Sequence, residues 1–191
     1  MTFIMSEHVC PWWIGYFLAS PLRRFFHKPE QIVSPYLKEG MTVLEVGPGM
    51  GFFTLPMARL VGPQGKIICI DVQDRMIKSL MRRASRAGLA NRIITRLTSG
   101  DSLQAEDFAN RIDFALLFAV VHEVPNQEKL FREVHATLKE NSLVLISEPK
   151  GHVTAEGFNQ TLAVAKRNGF DVIASPAIKR NHSVVLRKLH S

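Results

Sequence analysis

Residues 43–54, VLEVGPGMGFFT, constrain this chain more than any other stretch. A short apolar run ends in Gly47, Gly49 and Gly51 at alternate positions, and an apolar helical pattern follows to about Val61. Glycines accept positive φ and let a ligand approach the backbone, while a helix N-terminus presents free N–H donors. A strand entering a helix this way is either a tight structural turn or a turn that receives a ligand. The spacing separates the ligand classes. A phosphate-cradling P-loop needs Lys followed by Ser or Thr after its last glycine, and here Phe52-Phe53 follow. The dinucleotide fingerprint has two residues between its second and third glycines, where this chain has only Met50. Glu45, just ahead of the turn, would repel a pyrophosphate and suits a ligand with a cationic end.

The rest of the chain alternates in the same way. Thr42–Val46, Lys66–Asp71, Arg92–Thr98, Asp113–Val120 and Leu143–Ser147 read as strands, the last two nearly continuous apolar runs suited to burial on both faces. Helices are expected between them: Asp74 to Ala87 with Asp74 as N-cap, about Pro125 to Leu138, and about Thr154 to Asn168, stopped by Gly169. Phe170–Ala174 and Ser183–Leu186 are joined by a segment too short for a helical crossover, so they should pair as an antiparallel hairpin. The expected fold is α/β: a three-layer αβα sandwich around a mostly parallel seven-stranded sheet closed by a C-terminal antiparallel hairpin. One domain over 1–191 is expected, with residues 1–40 as an N-terminal appendage.

The composition fits that reading. With 46% apolar and 21% charged residues among 191, the chain suits a packed globular domain, not a disordered or low-complexity one. Two cysteines, Cys10 and Cys69, are too few for a disulfide scaffold and point to a reducing compartment. Val9 to Ala19 is the most apolar stretch, yet it is about half of the roughly 20 residues a bilayer span needs, and Glu7 with no Lys or Arg before it argues against a secretory signal. A cytoplasmic location is expected. The net charge of +7 is uneven. Residues 66–100 carry a net +6, residues 101–149 a net −5, and Lys179 to Lys188 adds +4. A basic stretch can attract nucleic acid or acidic lipid. Arg75, Lys78, Arg82 and Arg86 nonetheless lie on one side of a helix opposite Ile77, Leu80, Met81 and Ala84, as a solvated face would.

Glu45, the Gly47-x-Gly49-x-Gly51 turn and the elements around it resemble motif I of the class I S-adenosylmethionine-dependent methyltransferases, over roughly residues 30–190. The resemblance implies a Rossmann-like sheet and a cofactor site. Glu45 would lie near the methionyl ammonium, with the glycines shaping the turn beneath it. Asp71, ending the second strand, would accept both ribose hydroxyls. Val72 and Met76, in D-V-Q-D-R-M, would lie against the adenine, although Met76 reads equally well as a core methionine. Gly100-Asp101 would lie near the adenine amine, with Ser102 and Leu103 as backbone donors; Asp101 also reads as a helix N-cap. Phe118, at the end of the fourth strand, would lie beside the cofactor.

The acceptor side of that fold is the end of the fourth strand, FAVVHEVP, Phe118 to Pro125. His122-Glu123 resembles the loop of the small-molecule branch that includes the menaquinone and ubiquinone C-methyltransferases. His122 is a candidate base, since an imidazole titrates near neutrality, or a packing residue; Glu123 reads the same way. Glu148, ending the fifth strand, is a candidate substrate contact. Trp12, Trp13 and Tyr16 in the aromatic 8–18 stretch would form a lid over an apolar or aromatic acceptor, or pack on the sheet. Peripheral membrane contact through 9–26 is a further reading. His8-x-Cys10 offers two soft ligands, too few for a metal site, and no metal is expected. The expected activity is methyl transfer from S-adenosylmethionine to a small apolar or aromatic molecule, leaving S-adenosylhomocysteine. The rival readings are an RNA methyltransferase using the 66–100 face, with nucleic acid the less expected partner, and a cofactor-binding protein without catalysis.

Overall fold

In a computed structural model, which describes residues 28–190, strands and helices alternate as the apolar pattern requires. A short helix, α1 (Pro29–Val33), precedes β1 (Thr42–Val46), α2 (Thr54–Leu60), β2 (Lys66–Asp71), α3 (Asp74–Arg86), β3 (Ile93–Leu97) and β4 (Ile112–Phe118). There follow α4 (Gln127–Thr137), β5 (Leu138–Pro149), α5 (Ala155–Arg167), β6 (Phe170–Ala174) and β7 (Asn181–Lys188). The sheet order is β3-β2-β1-β4-β5-β7-β6. Strands β1 to β5 are parallel, and β7 runs antiparallel to both β5 and β6. The expected seven-stranded sheet is therefore present, with the hairpin turned so that β7 lies inside and β6 forms the edge. Val184, Val185 and Leu186 explain that choice: all are buried, whereas β6 buries only Phe170.

Side-chain alternation builds two cores, one on each face. Leu44, Val46, Ile68, Ile70, Ala115, Leu117, Val144 and Ile146 face α4 and α5, meeting Phe131, Val134, Phe158 and Ala165. Val43, Ile67, Cys69, Phe114, Leu116 and Leu145 face α2 and α3, meeting Met57, Ala58, Leu80 and Ala84. Truncating a fully buried leucine such as Leu44 to alanine costs about 2–5 kcal/mol.

The ends of α3, β3, β4, α5 and β7 lie one or two residues from expectation, and three differences have a clear cause. Asp74 is the first residue of α3, not its cap; Gln73 occupies the cap position without a side-chain bond, and Asp74 pairs with Lys78 at 2.6 Å. Helix α4 starts at Gln127 because the Asn126 side chain accepts from the Lys129 N–H at 2.9 Å. Strand β5 begins five residues early, since α4 runs straight into Leu138, which is buried and pairs with Ile112.

Several cations of the basic segments are tied down by the fold. Arg83 donates to Met50 O, Arg92 to Ala58 O and Lys66 to Asn91 O, while Arg96 bonds both Asp107 oxygens and Gln104 O. Lys188 in the basic tail is buried, donating to Leu138 O at 2.9 Å and lying 3.4 Å from Glu140. No helix among the described residues is long and apolar enough to cross a membrane.

Candidate active site

All parallel strands of such a sheet deliver their carboxyl ends to one rim, where ligands of open α/β sheets bind. At the end of β1 the chain enters the glycine turn. The Gly47 N–H donates to Ile70 O at 2.9 Å, fixing the turn to β2. A Cβ at Gly47 would meet Val120 Cγ2 at 2.7 Å, and its φ is +69°, so no other residue type fits. The glycine turn and the segment after β4 are thus in direct contact. Gly49 differs: its φ is +55°, and nothing lies within 4 Å of a Cβ built on it, so its outer side is open. Gly51 closes the turn against Leu80 of α3.

Two carboxylates flank the turn. Glu45 is 3% exposed and accepts from the Thr54 hydroxyl at 2.6 Å, with the Cys69 thiol 3.9 Å away. Burial, with the Glu45 charge beside it, pushes the Cys69 thiol well up and keeps it a neutral thiol. Asp71 is 8% exposed; one oxygen accepts from the Gln73 N–H at 2.9 Å and the other from the Gly49 N–H at 3.3 Å. Burial raises its pKa against the lowering effect of these backbone donors. A carboxylate has about four acceptor sites, so the group remains able to receive a further donor beside Gly49. An anionic cradle with an open glycine face and a rigid two-oxygen acceptor fits a cofactor carrying a cationic amino acid end and a vicinal diol.

The loops after β2 and β3 complete the rim. Val72 is exposed and lies 3.3 Å from a Cβ position on Gly100, so the two loops touch. Met76 is buried in α3. Asp101 is exposed and caps nothing: no helix follows it directly, and the turn at Glu106–Phe108 starts after Ala105. The Leu103 N–H expected to serve the ring donates instead to Glu133 of α4 at 2.6 Å, and the Ser102 hydroxyl donates to the same carboxylate at 2.9 Å. A buried N–H takes the nearest strong acceptor, and Glu133 supplies it. Phe118 ends β4 under the rim, its ring 4.4 Å from that of Phe53, which meets Phe52 edge-on at 5.2 Å.

The segment after β4 is organised by one side chain. Ala119 has φ +56°, a strained conformation held by its N–H bonding Ser147 O at 2.7 Å. The Val120 and Val121 N–H groups then both donate to Glu148 Oε1, at 3.1 and 2.9 Å. Glu148 Oε2 meets His122 Nδ1. Glu148 is 1% exposed and both its oxygens are engaged, so it faces the Ala119–Glu123 turn instead of standing free on the rim. An ionised carboxylate only accepts, so Glu148 pairs with a ring nitrogen able to donate. His122 is 25% exposed, and the Glu148 bond raises its pKa against the lowering effect of burial. Its Nε2 lies 4.0 Å from Glu123 Oε1, and its ring faces that of His152 at 5.8 Å. Gln127 links this turn to α5, bonding Val121 O and receiving the Thr161 hydroxyl.

The structure therefore brings Glu45, Gly47, Gly49, Asp71, Val72, Gly100, Phe118, His122, Glu123 and Glu148 to one end of the sheet. Ala119, Thr54, Glu133 and His152 join them without having been singled out by the sequence. Trp12, Trp13, Tyr16, the 9–26 stretch and His8-x-Cys10 lie outside the described residues. Among the described residues no group of three or more His, Cys, Asp or Glu side chains could hold a metal ion.

Comparisons with known proteins agree on the architecture. A family described as a methyltransferase domain matches residues 37–184. The ubiquinone/menaquinone biosynthesis C-methyltransferase UbiE of Pasteurella multocida is 26% identical over 112 residues, 59% of this chain and 41% of that protein. The demethylmenaquinone methyltransferase of Geobacillus stearothermophilus is 26% identical over 124 residues, 65% of this chain and 51% of that one. The chain spans about half the length of the curated relatives it matches. Among solved structures, a SAM-dependent methyltransferase from Aquifex aeolicus superposes with a TM-score of 0.84 at 23% identity, covering 95% of this chain and 100% of that one. The [4+2]-cyclase SpnF superposes with 0.73 at 17% identity, covering 86% and 82%. The chain belongs to the methyltransferase-domain family and has the fold of the class I S-adenosylmethionine-dependent methyltransferases.

Proposed function

We propose that this protein transfers a methyl group from S-adenosylmethionine to a small molecule, apolar or aromatic, bound over the carboxyl ends of β4 and β5. The observation that carries this reading is the contact between Gly47 and Val120, which joins the cofactor-type turn to the turn bearing His122. In this reading Asp71 receives the ribose hydroxyls, Glu45 supplies negative charge toward the amino acid end, and Val72, Met76, Gly100, Asp101 and Ser102 surround the adenine. Bound there, the cofactor supplies an electrophilic methyl on a sulfonium. The protein's part is to align the acceptor and exclude water. Phe118 with Phe53 gives the acceptor side an apolar floor. The aromatic acceptor is supported by relatives named for methylation in ubiquinone and menaquinone biosynthesis. An RNA acceptor is the less favoured reading: Lys66, Lys78, Arg83, Arg92 and Arg96 are engaged by Asn91, Asp74, Met50, Ala58 and Asp107, while Arg82 and Arg86 stay exposed.

The test is transfer of labelled methyl from S-adenosylmethionine into a small-molecule extract and, separately, into total RNA. Label in the small-molecule fraction is the expected result; label in RNA alone, or in neither while the cofactor binds, overturns it.

A further inference from the structure

His122 follows β4 and Glu148 lies near the end of β5, 26 positions apart, yet Nδ1 of one meets Oε2 of the other. We propose that Glu148 is a positioning residue that holds the part-exposed His122 with Nδ1 protonated and Nε2 beside Glu123, and that the site takes an acceptor which gives up a proton, a ring or enol hydroxyl or the carbon beside one. This rests on the methyltransferase reading and names the substrate class of that same site.

Three observations carry it. Glu148 is 1% exposed and lies against Val120 N–H, Val121 N–H and His122, so burial keeps it from a substrate. The two backbone bonds fix the turn in which His122 sits, and the same turn packs Val120 against Gly47. His122 is part-exposed while Glu148 is sealed beneath it, so only the imidazole can reach an incoming molecule. Around the ring stand Glu148 from β5, Glu123 from its own turn and His152 from the segment after β5. Both carboxylates favour the imidazolium that forms when a proton arrives, and the raised pKa of His122 agrees with this.

The hydroxyl would lose its proton to Nε2, and the pair left on oxygen, or delocalised onto the carbon beside it, would take the methyl while the broken S–C pair stays on sulfur; after attack through carbon, the hydrogen that carbon carried leaves as a proton and one proton returns to the oxygen. The imidazolium then returns its proton to solvent. An acceptor atom without a proton, such as a thioether sulfur or a tertiary amine, would have no use for this couple.

The couple is read directly by nitrogen NMR of the full chain labelled with 15N-histidine, across pH 5 to 9, with His122→Gln identifying the signal. The expected neutral form carries its proton on Nδ1, and the titration midpoint lies above the ordinary histidine value. In Glu148→Gln the amide donates to Nδ1, the proton moves to Nε2 and the midpoint falls. A wild-type ring protonated on Nε2, or a Glu148→Gln ring unchanged from wild type, overturns the proposal. The wild-type tautomer needs no variant, so the test survives a Glu148→Gln chain that does not fold. Turnover with the labelled small-molecule product should fall roughly 100-fold or more in Glu148→Gln. A product methylated on oxygen or on ring carbon fits the assignment, and one methylated on sulfur or tertiary nitrogen contradicts it. S-adenosylhomocysteine added to the same sample separates the two readings: failure to bind sinks the methyltransferase assignment and leaves the histidine result standing.

Discussion

Val120 Cγ2 occupies space 2.7 Å from where a Cβ on residue 47 would stand, so the turn that faces the cofactor and the turn that carries His122 share one van der Waals surface. Alignment of donor and acceptor is then built into the backbone before any ligand arrives. Such packing is a cheap way to supply orientation, since misplacement by an ångström is costly in rate.

Gly47→Ala violates both the steric limit and the positive φ. It should lower stability by about 2–4 kcal/mol, combining overpacking with left-handed strain. Chemical denaturation checks this. Wild-type stability would mean that the two turns are not in contact.

Glu133→Ala removes the acceptor for the Leu103 N–H and the Ser102 hydroxyl. The orphaned N–H should cost about 1–3 kcal/mol. Hydrogen exchange of the Leu103 amide should accelerate while the amides of β1 stay protected. An unchanged Leu103 amide would assign its protection to another group.

The His122–Glu148 couple makes stability depend on pH with a definite sign. His122 has a folded pKa above its ordinary value of about 6.5, so the folded state holds its proton more tightly than the unfolded chain. The stabilisation is full below about pH 6.5 and is lost as pH rises through the folded pKa. Denaturation midpoints measured from pH 5.5 to 8.5 should therefore decline more steeply for wild type than for Glu148→Gln. Parallel profiles would contradict the coupling. Base function runs the other way: turnover rises with pH over the same window as the imidazole loses its proton.

What the sequence made legible was whatever depends on neighbours along the chain. Strands β1, β2 and β6 fall on the residues expected, because alternation and flanking glycines mark them. The hairpin was legible from the short connection between its strands. Asp71 was legible as a strand-end acid because position alone defines it. The role of Glu148 was not, because it depends on Phe118 pairing with Ser147 across two strands, which puts residue 148 under the turn that begins at Ala119. Glu133 was hidden for the same reason, since it meets Leu103 across 30 positions. Asp74 misled because an acid at a helix start reads as a cap, and its side chain is taken by Lys78 one turn on.

The central claim is an S-adenosylmethionine site over Gly49 and Asp71. Titration calorimetry of S-adenosylhomocysteine into the full chain and into Asp71→Ala tests it most directly. The account predicts binding by wild type and a loss of about 1–3 kcal/mol in the variant, roughly 5- to 150-fold in affinity. No binding by wild type, or equal affinity in both proteins, would contradict it.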